Sequence, residues 1–178
     1  MESYALLIGS TLSAGTVIAL AALGLLVNEK AGIVNLGAEG MMLCAALAGF
    51  ATTVGTGNEW LGFAAGALAG ALLAAVFGVL VIWLNTNQYA TGLALSLFGV
   101  GFSAFAGQNF VQAKLPELAQ DGIPYLRDLP LVGPALFDHD PLVYGAMALA
   151  VALLWFLDRT RAGLVLRAVG ESPQSAHA

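Results

Sequence analysis

The stretch Glu29-Lys-Ala-Gly-Ile-Val-Asn-Leu-Gly-Ala-Glu-Gly-Met-Met42 gathers two carboxylates, a lysine and an amide around Gly32, Gly37 and Gly40, with Gly24 and Asn28 just before it. Long apolar runs flank it on both sides. Charged and amide side chains are costly beside lipid and usually face protein or a water-filled cavity. The chemistry available here is recognition of a polar solute. Asn35 offers both donor and acceptor groups, suited to hydroxyls or a base edge, and the glycines permit close backbone approach. Glu39 reads in three ways: an acid at the positive end of the helix that starts there, a carboxylate beside a solute path, or an ion-pair partner of Lys30. A lipid-facing position is least favoured, since an acid at the bilayer centre costs about 2.5–3.5 kcal/mol.

A second polar stretch, Asp158-Arg-Thr-Arg-Ala-Gly-Leu-Val-Leu-Arg-Ala-Val-Gly-Glu-Ser-Pro-Gln-Ser-Ala-His-Ala178, follows the last apolar run. Ser172 is a candidate N-cap with Pro173 at the first helical position, so a short surface helix is expected to begin there. A basic lead-in before an exposed helix suits docking of a partner on that side of the membrane. The plainer alternative is a loop whose arginines only set orientation.

Both stretches sit in a chain that is 59% hydrophobic and 10% charged, with mean hydropathy +0.85. A soluble domain carries about a quarter charged residues, so this composition belongs to an integral membrane protein. The net charge of −5 argues against nucleic acid, which requires clustered lysine and arginine. There is no G-x-x-x-x-G-K-[ST] phosphate loop, no H-E-x-x-H, no nucleophile elbow and no C-x-x-C. No catalytic, metal or cofactor site is evident. ATP-driven chemistry would therefore require another polypeptide. The single cysteine, Cys44, has no partner for an internal disulfide and reads as a small packing residue.

Five apolar segments must position these residues: Tyr4–Val27, Asn35–Val54, Leu61–Leu84, Tyr89–Ala106 and Pro141–Leu157. Each approaches the roughly 20 residues that a spanning helix needs, giving an all-α, polytopic transmembrane helical bundle. The first is no cleaved signal peptide, because Met1-Glu2-Ser3 lacks a basic n-region. Arg159, Arg161 and Arg167 place residues 158–178 on the cytoplasmic side, and the acid-rich loop 108–140 outside. Counting back gives an external N-terminus, inside turns at Asn28–Ala31 and Asn85–Gln88, and an external turn at Thr56–Glu59. A re-entrant Glu29–Gly40 region would change the assignments of the first 55 residues. Trp60 marks one membrane interface; Trp83 and Trp155 mark the other.

Finer signals lie between these segments. Gly62, Gly66 and Gly70 line one face of the third helix, for close packing within the bundle or for a dimer. Pro116, Pro124, Pro130 and Pro134 preclude a continuous helix through the external loop, whose apolar residues suggest a compact cap. Asp140-Pro141 is a helix start, with the acid as N-cap. Asp138-His139-Asp140 reads as solvated loop.

The two polar stretches, residues 29–42 and 159–173, together resemble the permease of a bacterial ABC importer of the branched-chain amino acid, ribose and simple-sugar type. Within that family the likeness is nearest to nucleoside and simple-sugar permeases that work with basic-membrane-protein-type binding lipoproteins. Asn87-Gln-Tyr-Ala-Thr-Gly-Leu-Ala-Leu-Ser-Leu97 and Asp140-Pro-Leu-Val-Tyr144 fit the same group, so the likeness covers nearly all of the chain. It implies an inner-membrane, multi-pass pore of two permease subunits, identical or not. Two cytoplasmic ABC ATPases would drive it, and an external substrate-binding lipoprotein would deliver the solute. Asn35, Gly37, Glu39 and Gly40 would lie near the solute path. Arg167, Gly170, Glu171, Ser172 and Pro173 would form the ATPase-coupling region, with a coupling helix beginning at Ser172. Such permeases continue with several further spans, so the resemblance implies that roughly the second half is absent here. A branched-chain amino acid permease, an ATP-independent channel or carrier, and a membrane scaffold subunit are the competing readings.

Overall fold

The structure is a computed structural model in which residues 2–115 and 141–172 are described. All regular structure among them is helical: α1 (Glu2–Lys30), α2 (Ala38–Thr56), α3 (Glu59–Gly78) continued by a wide π-helical turn (Val79–Trp83), α4 (Gln88–Gly107) ending in a 3-10 turn (Gln108–Phe110), α5 (Pro141–Arg159) and α6 (Arg161–Glu171). The first five are long and apolar enough to cross a membrane, and the protein is a multi-pass membrane protein. Large apolar side chains are exposed along these helices, among them Val17, Ile18, Leu68, Leu97 and Phe105.

The chain divides into two compact units, Met1–Gly32 with Ala119–Ala178, and Ile33–Leu118. In the second unit α2 packs against both α3 and α4, which meet each other only sparsely. Sequence chemistry fixes the ends of these helices. Gly57 adopts the left-handed conformation (φ 68°) and its N–H closes α2 on Thr53 O at 2.8 Å, a position at which a Cβ would be strained. Asn58 then starts α3, its Oδ1 accepting from Trp60 N (2.9 Å) and Leu61 N (3.2 Å). Asn87 does the same for α4 through Tyr89 N and Ala90 N. Each cap satisfies two of the donors that a helix start leaves open.

Small residues set the interhelical distance. The α2 row Ala45, Gly49, Thr53 meets the α3 row Gly62, Gly66, Gly70. A Cβ at Gly66 would lie 2.9 Å from Ala45 O, and one at Gly62 would strike the Thr53 hydroxyl. The predicted glycine face of α3 is thus used inside the chain. Without a hydrophobic drive between helices in lipid, such backbone approach supplies the packing contact.

In the first unit, α5 packs against α1 and α6. Thr160 breaks the α5–α6 run in an extended conformation and caps α6, its Oγ1 accepting from Gly163 N at 3.1 Å. The sequence reading differs from the structure in three places. Helix α1 runs on to Lys30, through most of the turn expected at Asn28–Ala31. Residues 161–171, expected as a loop leading into a helix, are themselves helical. The second span was placed from Asn35 but α2 begins at Ala38, because the Asn35 side chain accepts the Gly37 N–H and holds a turn there. Asp140, the cap expected for α5, and the bulk of the expected external cap lie outside the described residues. So do Asp138-His139-Asp140 and the helix expected from Pro173.

Candidate functional site

The residues assigned to a solute path cluster where α2 begins, in the second unit. Asn35 is buried; its Oδ1 accepts from Gly37 N at 2.9 Å and its Nδ2 donates to Met41 Sδ at 3.7 Å. Gly37 is the residue before the first helical position. A Cβ there would lie 3.1 Å from Gly92 O; at Gly40 it would lie 2.5 Å from Leu95 O and 2.6 Å from Ser96 Cα. Gly99 faces Gly40 backbone to backbone, and the Cys44 thiol points at Gly99 O at 3.9 Å. Val34 N donates to Gln88 Oε1 at 3.1 Å, so the starts of α2 and α4 lie at the same end of this unit.

Physical chemistry divides this cluster. Asn35, Gly37 and Gly40 are engaged in shaping the turn and letting α2 cross α4 at backbone distance, which leaves little of them for a solute. Glu39 differs. It sits in the first turn of α2, where its charge complements the helix dipole, yet its side chain is exposed and is in no ion pair among the described residues. Of the four it is the one whose polar atoms are available.

Of the residues expected to couple to an ATPase, Arg167, Gly170 and Glu171 lie on α6 in the first unit and Ser172 follows its last position. Arg167 Nη1 donates to Asp158 Oδ1 at 2.7 Å, tying α6 back to the end of α5. Gly170 lies against Lys30 O and the Gly32 backbone; the reciprocal approach of Gly32 is 2.9 Å to Gly170 O. Gly32 itself has φ +78°, so two independent reasons favour glycine there. Glu171 is exposed at the last position of α6. Ser172 is extended (φ −157°, ψ 98°), its N–H bonded to Ala168 O at 3.0 Å. Pro173 lies outside the described residues.

Sequence reasoning missed the pairing of Gly32 with Gly170, and with it the docking of α6 on the end of α1. The available signals were Thr160 as an N-cap before Gly163, and the apolar positions Leu164, Val165 and Val169 recurring at helical spacing. The first polar stretch also has two separate structural jobs. Residues up to Gly32 support α6 in one unit, while those from Asn35 onward seat α2 on α4 in the other.

The chain can now be set beside known proteins. Over 99% of its length it is 46% identical to a protein of Haloferax volcanii provisionally named a glucose ABC transporter permease, of which it spans 55%. It is 31% identical to the nucleoside ABC transporter permease of Lactococcus lactis and 31% identical to the guanosine ABC transporter permease of Bacillus subtilis, covering 59% of each. The chain thus spans little more than half the length of these relatives. No solved structure matches it. A family model described as the permease component of branched-chain amino acid transport systems matches residues 7–178, and the chain belongs to that family.

Proposed function

We propose that this chain forms part of the membrane pore of an ATP-driven importer for a small polar solute, a nucleoside or a simple sugar. The relatives named for glucose, nucleoside and guanosine transport support that substrate class. Nothing in the sequence resembles a nucleotide site, so ATP would be hydrolysed by separate ABC ATPase subunits. An external substrate-binding lipoprotein delivers the solute, and a second permease subunit completes the pore in the inner membrane.

The observation that carries the mechanism is the contact of Gly170 with Lys30 and Gly32. The far end of α6, with exposed Glu171 and then Ser172, is where an ATPase would press. Because Gly170 meets α1 backbone to backbone, no flexible side chain absorbs a displacement at that point. Movement of α6 is passed to the end of α1, and through residues 33–37 to the start of α2, which carries Glu39. Arg167, held by Asp158, keeps α6 attached to α5 during the stroke. On this reading Asn35, Gly37 and Gly40 are the fixed seat beside the path, and Glu39 is its polar contact.

The test is uptake by the whole transporter reconstituted in proteoliposomes, with labelled uridine, guanosine, glucose and leucine offered separately. ATP-dependent accumulation of a nucleoside or of glucose is expected, and lost in Gly170→Leu. Accumulation of leucine alone would move the protein to amino acid transport. Equilibration without ATP would make it a carrier or channel.

A further inference from the structure

We propose that the end of α5 and the start of α6 form a binding site for an anionic phospholipid of the leaflet on which α6 lies. Val151, Leu154, Trp155, Asp158 and Arg159 line an open groove of about 570 Å3 along one face of α5. Their spacing is that of a single helical stripe, apolar at depth and charged at the end. Trp155 is 62% exposed. Arg159 lies eight residues beyond Val151, so at about 1.5 Å per residue the stripe reaches some 12 Å from the arginine.

The charges at its mouth are unevenly matched. Asp158 is neutralised by Arg167 at 2.7 Å. Arg159 and Arg161 are exposed and in no ion pair among the described residues. Arg159 in the groove lining and Arg161 two residues further on, both uncompensated, complement an acidic head attached to acyl chains.

Helix α6 follows directly on α5 and carries an exposed face of its own. Gly163 is turned onto Phe156 and Leu157, and Gly170 onto the end of α1. The opposite face, Leu164, Val165 and Val169 with Ala168, is exposed; Val165 reaches 61%. An amphipathic helix with such a face beside basic residues lies in the membrane interface. A water-soluble subunit could meet the end of α6 but could not enter the groove at the depth of Val151. A free phosphate would leave the apolar stripe uncovered. The phospholipid accounts for both.

The experiment uses the whole transporter in nanodiscs of phosphatidylcholine containing one part in ten of phosphatidylglycerol. A photoreactive benzoylphenylalanine replaces Val165 or, separately, Leu154. Adducts with phosphatidylglycerol are expected well beyond its share of the bilayer, with roughly fivefold preference for each arginine and about thirtyfold for the pair. Arg159→Gln with Arg161→Gln should return the adducts to bulk proportion, while Arg159→Lys with Arg161→Lys should keep most of the preference. Complex assembly is checked for each variant by size-exclusion chromatography. Adducts to an ATPase or another protein segment at both positions would overturn the proposal. So would phosphatidylglycerol adducts at bulk proportion in the unaltered arginine background, or a preference that survives the glutamine pair.

Discussion

Two glycine-lined crossings in this protein differ in how far they extend. Where α2 meets α4, close approach continues from Gly37 against Gly92, through Gly40 against Leu95 and Ser96, to Gly99 against Gly40. Asn35 closes the end of that seam with its own side-chain bond to Gly37. Where α6 meets the end of α1, close approach is confined to Gly170 against residues 30–32, while one exposed ion pair holds α6 to α5. A seam of two turns holds its helices in one register, whereas a point contact lets one helix rock while remaining in touch. On the proposed mechanism the same residue type would serve a fixed part in one unit and a moving part in the other.

The largest effect should come from breaking the long seam. Gly40→Leu puts a side chain where the α4 backbone already stands, an overpacking that costs about 3 kcal/mol or more. Loss of folded, monodisperse permease in fluorescence-detected chromatography is expected; a normal yield would mean that the seam tolerates separation. Gly170→Leu strikes the point contact instead. Its stability cost should be smaller, about 1–2 kcal/mol, with solute-stimulated ATP hydrolysis reduced far more than membrane abundance. Equal losses of both would make this contact merely structural and erase the distinction drawn above.

Smaller changes sharpen the comparison further. Asn35→Ala removes the side-chain acceptor for Gly37 N–H and should cost about 1 kcal/mol, read as a lower midpoint in thermal unfolding of the detergent-solubilised protein. Glu39→Gln should leave that midpoint unchanged within about 0.5 kcal/mol while lowering uptake by the whole transporter. Uptake at the unaltered level removes Glu39 from the path. Asp158→Asn breaks an ion pair whose side chains are 37% and 59% exposed. Solvent screening limits its effect to about 0.5 kcal/mol, to be seen as increased hydrogen exchange confined to α6.

The sequence made the spanning helices readable because length and hydrocarbon content decide them almost alone; the five apolar runs and the five helices coincide to within a few residues. It located Gly62, Gly66 and Gly70 as a packing face, since spacing by four survives in any helix. What stayed hidden depended on partners far away in the chain. Gly32 and Gly170 are ordinary glycines until the fold brings them together. The amide of Asn35 can bond to many groups, and only the turn shows that its Oδ1 accepts from Gly37 N. α6 was obscured by its charges, which gave residues 158–171 the composition of a loop although their apolar positions keep helical spacing.

The left-handed Gly57 and the two N–H groups that donate to Asn58 have a consequence for how the protein is made. They turn the chain within two residues, and the interlocking rows Ala45–Gly49–Thr53 and Gly62–Gly66–Gly70 lie close on either side of that bend. Nearly everything that joins α2 to α3 is therefore local in sequence, the kind of contact that forms early and fast. As the polypeptide leaves the ribosome, these two helices can enter the bilayer already paired as a hairpin. α4 then arrives as the later helix, fitting its glycines to a surface that is already formed.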